Sequence, residues 1–92
     1  MSVKVRVPAQ LRPLSGGVGE VEVEGTTVGE ALKALDTAHP GFGERIFDES
    51  GNVRRFVNVF VGEEDIRFLD GLGTPVPQGG VISVVPAVAG GS

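Results

Sequence analysis

The chain has 92 residues, with 12 acidic side chains against 8 basic ones and a formal charge of −4. It has no cysteine, which excludes disulfides, thiolate catalysis and cysteine-ligated zinc or iron–sulfur sites. The acidic balance argues against nucleic acid as a partner and favours a protein partner with basic patches. No apolar run is long enough to cross a bilayer and no signal peptide is evident, so a cytoplasmic protein without membrane contact is expected.

Residues 3–7, VKVRV, alternate strictly, with Val3, Val5 and Val7 on one face and Lys4 and Arg6 on the other. Such a period of two predicts a half-buried strand. A loop with Pro13 and the Gly16-Gly17 pair follows. Residues 20–24, EVEVE, alternate again and predict a second strand, paired antiparallel with the first. Gly25 breaks it. Thr27 and Glu30 have the spacing of a capping box. Val28, Ala31, Leu32 and Leu35 then recur at i, i+3, i+4 and i+7, which predicts an amphipathic helix of about three turns. His39-Pro40-Gly41 stops that helix. A short helical turn is expected around Phe42 to Phe47, and a turn at Gly51.

Residues 56–61, FVNVFV, read as the strongest strand. Burying Asn58 without partners would be costly, so its face is expected outward together with Phe56 and Phe60. Val57, Val59 and Val61 then face the core. A short strand is expected around Ile66, and a loop with room for a short helical turn over residues 69–80. Residues 81–85, VISVV, form the last strand, with Ile82 and Val84 inward and Val81 and Val85 outward.

Strand, strand, helix, strand, short strand, strand is the order of an α+β β-grasp (ubiquitin-like) fold. A mixed sheet of four to five strands carries one main helix across one face. The expected organisation is one domain, 1–85, followed by a Gly-Gly tail, 86–92. On this reading Phe56, Phe60, Val81 and Val85 share the sheet face opposite the helix and form an apolar patch suited to partner binding. Arg54, Arg55 and Arg67 lie near it and read as solvated strand edges. Glu63-Glu64-Asp65 reads as a solvated turn and not a cation site. His39, the one histidine, reads as a helix-end residue. Gly16-Gly17-Val18-Gly19 lacks the lysine and hydroxyl residue of a phosphate loop. No metal ligand set, bound cofactor or nucleophile–base pair is evident, so the chain reads as a non-enzyme.

The tail carries the chemical suggestion. Pro86 lacks a backbone donor and discourages further pairing. The six residues from 86 to 91 reach at most about 20 Å. Gly90 and Gly91 have no side chains, so a narrow cleft can enclose them. Two stretches, RFVNVFVGEEDIRFLDGLGT (residues 55–74) and VISVVPAVAGG (residues 81–91), resemble the MoaD/ThiS family of ubiquitin-like sulfur carriers, and within it the CysO-type cysteine-biosynthesis carriers. The resemblance implies that a ThiF/MoeB-like enzyme uses ATP to adenylate Gly91. A sulfur donor then converts it to a thiocarboxylate. A PLP-dependent cysteine synthase, or another sulfur-accepting enzyme, receives the sulfur, and a zinc-dependent metalloprotease releases the product. Val88, Ala89 and Gly90 would thread the partner's cleft. Ser92 departs from the pattern, because it leaves Gly91 as an amide. Trimming of Ser92 by such a metalloprotease is the favoured explanation, beside a cloning scar and an inactive relative. Three other functions fit the same residues: a ubiquitin-like protein modifier, a molybdopterin synthase small subunit, and a β-grasp interaction module without tail chemistry.

Overall fold

The computed structural model describes residues 2–86. The first alternating run forms β1 (Ser2–Arg6) and the second forms β2 (Glu20–Glu24). They pair antiparallel, with Val3 opposite Val23 and Val5 opposite Val21. The connection is not an open loop. It contains a 3-10 helix, Ala9–Ser15, that buries Leu11 and Ser15. Gly16 ends this helix at φ 72°, a left-handed conformation that favours glycine, and turns the chain back towards β2.

Helix α1 (Val28–Ala38) begins at Thr27, whose hydroxyl accepts the Glu30 N–H. Its apolar stripe of Val28, Ala31, Leu32 and Leu35 is fully buried. The helix ends at His39, and a single-turn helix α2 (Phe42–Ile46) follows as expected. Gly41 is its N-cap residue and offers no side chain. The carboxylate of Asp36 substitutes, with Oδ1 accepting the N–H groups of Gly41 at 3.3 Å and Gly43 at 2.8 Å. Phe42 and Ile46 from α2 enter the same core as the α1 stripe.

Next come β3 (Val57–Val61), β4 (Glu64–Asp65) and β5 (Val81–Pro86). The sheet order is β2-β1-β5-β3-β4. β5 lies centrally, parallel to β1 and antiparallel to β3. Val57, Val59, Ile82 and Val84 point into the core, and Val61 packs partly against it. The face towards α1 is therefore built from the valines and isoleucine that alternation selects. This is the α+β mixed sheet crossed by one main helix.

Three local expectations are corrected. The short strand does not include Ile66. Asp65 accepts the Arg67 N–H at 2.8 Å, which bends the backbone into a 3-10 helix, Ile66–Phe68, and drops Ile66 into the core. The strong strand begins at Val57 and not at Phe56. The Val57 N–H is turned back onto Arg54 O at 3.0 Å, and the Arg54 N–H is held by Ile46 O, so Phe56 sits in a turn ahead of the ladder. The last strand runs through Pro86, which stands opposite Val57. A proline at this position donates nothing, so it fits the end of a ladder.

Candidate functional site

The site is built where β5 delivers the chain to its C-terminal residues. Because β5 is central and parallel to β1, its end lies beside the end of β1 and the start of β3. Pro86 lies between two grooves. One, of about 330 Å³, is lined by Arg6, Val7, Pro8, Ser83 and Val85. The other, of about 490 Å³, is lined by Leu11, Glu44, Arg45, Arg54 and Phe56. Gln10 borders both. A larger hollow of about 680 Å³ runs along α1 past Lys33, Phe47 and Leu72, but it includes none of the residues around Pro86.

The sheet face opposite α1 divides into two halves. Across β2 and β1 it carries Glu20, Glu22, Lys4 and Arg6, with ion pairs from Lys4 and Arg6 to Glu20 at 3.9 and 3.8 Å. Across β5 and β3 it carries Val81, Ser83, Val85, Asn58 and Phe60. Phe60 stands opposite Ser83, so Val81 and Val85 are its two diagonal neighbours, within reach of an aromatic ring. Val85 is 45% exposed, while Phe60 and Val81 are half-buried. The structure thus brings Phe60, Val81 and Val85 together. Phe56 does not join that row. It is 58% exposed and lines the groove beside Pro86.

The arginines at the strand ends do more than meet water. Arg67 donates from Nη2 to Val57 O at 3.0 Å and Arg55 O at 3.3 Å, covering backbone carbonyls at the start of β3, a strand that β4 pairs only at Phe60 and Val61. Arg54 donates from Nε to Glu44 O at 2.9 Å and ties the β3 approach to α2. Arg55 is exposed. His39 ends α1 and meets the Phe42 ring edge-on at 6.3 Å. Glu64 and Asp65 form the edge strand, with Asp65 capping the 3-10 turn after it. Among the described residues, no three His, Asp or Glu side chains converge in a way that could hold a metal ion. Val88, Ala89, Gly90, Gly91 and Ser92 lie outside the described residues.

Sequence reasoning missed Leu11, Arg45 and the groove position of Phe56, because these residues meet only through tertiary packing. It also missed Phe68 and Leu69, exposed at 86% and 40% at the end of the 3-10 turn after β4. The only available signal for that pair was two adjacent apolar residues beside Asp70 and Gly71, at the start of a turn-rich segment.

The family profile described as ThiS family matches residues 5–91. The chain belongs to the ThiS family. The match includes both glycines of the tail and leaves Ser92 beyond it. The sulfur carrier protein CysO of Mycobacterium tuberculosis is 42% identical, over 99% of this chain and 100% of that protein. A chain of the crystal structure of the Amycolatopsis orientalis BexX/CysO complex superposes with a TM-score of 0.90 at 40% identity, covering 97% of this chain and 99% of that one. The crystal structure of small archaeal modifier protein 1 from Haloferax volcanii superposes at 0.83 with 31% identity, covering 99% of this chain and 100% of that one. These neighbours establish the ubiquitin-like β-grasp. The ThiS-family relatives named as sulfur carriers are small carriers and not catalysts, which assigns this chain to the same non-enzymatic class. Among the described residues, no helix is long and apolar enough to cross a membrane.

Proposed function

We propose that this ThiS-family chain carries sulfur as a thiocarboxylate on Gly91. The observation that supports the reading most is the family match running through Gly91, together with a central strand that ends at the foot of the tail. The chemistry requires a free glycine carboxylate, so Ser92 is removed first, in the favoured case by a zinc-dependent metalloprotease. A carboxylate oxygen of Gly91 then attacks the α-phosphorus of ATP on a ThiF/MoeB-like enzyme, and pyrophosphate leaves. A sulfide-level nucleophile attacks the acyl carbon of the mixed anhydride. AMP leaves with the bonding pair, and the thiocarboxylate remains. The carrier binds no cofactor of its own and contributes an acyl group and its presentation. A PLP-dependent cysteine synthase is the favoured acceptor, because CysO is the relative with 42% identity. The outer-face residues Phe60, Val81 and Val85 hold the carrier on these partners. In support, the 40%-identical chain comes from a structure of a BexX/CysO complex.

Intact-mass analysis tests the reading. The forms ending at Gly91 and at Ser92 are incubated with the activating enzyme, ATP and a sulfide source. Exchange of one oxygen for sulfur on the Gly91 form alone is expected. No exchange on either form overturns the proposal. The likeness to small archaeal modifier protein 1 favours a second reading, in which Gly91 forms isopeptide bonds to lysines of other proteins. Conjugates on a gel that vanish when Gly91 is deleted would establish that role.

A further inference from the structure

We infer that the groove beside Pro86 is a docking surface for an acidic, apolar-tipped loop of the enzyme that activates the tail. The inference rests on the carrier reading above and adds a second contact region to it, separate from the outer sheet face.

Three observations meet in this groove. The first is Phe56. It takes no part in the β3 ladder and lies 58% exposed beside Leu11 and Pro86. An exposed aromatic in a concave surface is the kind of side chain that concentrates binding energy when a partner covers it. The second is charge. The chain is acidic overall, yet Arg45 and Arg54 line this groove, and among the described residues neither forms an ion pair. Glu44 lines the groove beside them, and the same arginines border a second hollow with Asp36, Asp48 and Glu49. The Asp36 and Asp48 carboxylates there already accept backbone N–H groups, and the side towards Pro86 carries the two arginines with Glu44 alone. Arg54 is already held through Nε by Glu44 O at 2.9 Å, so less side-chain freedom is lost when a carboxylate meets its remaining donors. The third is position. Pro86 lines the groove and is the last described residue, so an enzyme that grips the next few residues is brought over it. Phe56 and the partly exposed Pro86 offer an apolar seat and the arginines a positive rim. The complementary partner surface is an apolar side chain flanked by carboxylates. The enzyme then clasps the end of β5 on two sides, against Phe60, Val81 and Val85 on the outer face and against Phe56, Arg45 and Arg54 in the groove.

The test uses the full chain ending at Gly91 and a ThiF/MoeB-like activating enzyme from the same organism. Binding is measured by calorimetry without ATP, and adenylation by pyrophosphate release. The double variant Arg45→Glu/Arg54→Glu is expected to raise Kd and KM about tenfold or more with kcat little changed. The wild-type complex should weaken with added salt more than the variant complex does. Phe56→Ser, at an exposed position where folding is not at stake, should raise Kd and KM about tenfold without changing the salt dependence. Wild-type Kd and KM in both variants would overturn the inference while leaving the carrier reading intact, provided the wild type is adenylated. If the wild type binds but is not adenylated, and the variants bind more weakly, the groove stands and the carrier chemistry falls. If the wild type neither binds nor reacts, both fall. Shifts of the Phe56 ring and Arg45 amide signals on deleting residues 87–92 from the free protein would show that the groove holds the chain's own tail, and would also overturn the inference.

Discussion

At the N-terminus of α1, two threonines divide the work that a capping box assigns to one. The Glu30 N–H donates to Thr27 Oγ1 at 3.2 Å, as the spacing predicts. The Glu30 carboxylate does not return to Thr27. It accepts the N–H and the hydroxyl of Thr26, both at 2.9 Å. These hydrogen bonds, the backbone one first, hold the Glu30 carboxyl below its ordinary range, against a small opposing effect of desolvation. Because the folded-state value is depressed, the linked stability is fully present above the unfolded-state value and is lost as pH falls through the folded one. Glu30→Ala should therefore flatten the acid limb of the stability–pH profile, measured by denaturant unfolding at a series of pH values. Thr27→Ala removes the side-chain acceptor for the Glu30 N–H and should cost about 1 kcal/mol, visible as a lower denaturation midpoint with an unchanged slope. An unchanged midpoint in Thr27→Ala would show that water replaces the cap without loss.

The connection from β2 into α1 is set by close packing as well as by caps. A Cβ placed on Gly25 would stand 2.8 Å from Ala31 N and 3.1 Å from Ala31 Cα, both backbone atoms of the helix. No flexible side-chain end can yield there. Gly25→Ala should lift the helix from the sheet edge and cost about 1–3 kcal/mol, read by thermal unfolding. Leu32→Ala at the centre of the buried stripe should cost about 2–5 kcal/mol in the same measurement. This helix was legible in the sequence because one periodicity governs it: a helix that packs one face on a sheet needs apolar side chains at i, i+3, i+4 and i+7. The strands were legible through their period of two. Ala9–Ser15 was not, since a one-sided 3-10 turn that buries Leu11 and Ser15 leaves no repeat to count. Ile66 misled because its β-branched shape suits a strand, whereas the Asp65 carboxylate redirects the backbone. Phe56 continues the alternation one residue beyond the ladder, so the period of two does not mark where β3 begins. The groove at Pro86 draws on residues near positions 10, 45, 55 and 86, and no local pattern joins four such separated segments.

Across the whole molecule, the core of the described residues and the tail that the proposed chemistry uses occupy different stretches of the chain. The core runs from Val3 to Val84, with the α1 stripe fully buried and no buried polar side-chain atom left unpaired among the described residues. On the apolar half of the outer face Val85, 45% exposed, adds little to that core, whereas Phe60 and Val81 are half-buried. Val85→Asp should therefore cost only about 1 kcal/mol of unfolding free energy, the scale of lost strand propensity and of the contact with Phe60. In the proposed complex the same change buries an unpaired carboxylate beside Phe60, so binding to the activating enzyme should fall sharply. A second comparison separates the roles of core and tail. Among the described residues, the core side chains and the β5 register from Val57 opposite Pro86 to Val61 opposite Ile82 all lie ahead of residue 87, so a chain cut after Pro86 keeps them. The truncated chain should unfold within about 0.5 kcal/mol of the full chain and should accept no AMP. A truncated form that is markedly less stable would mean that the tail is part of the fold, and β5 would then have to be read as a strand that continues and not as one that delivers a free end.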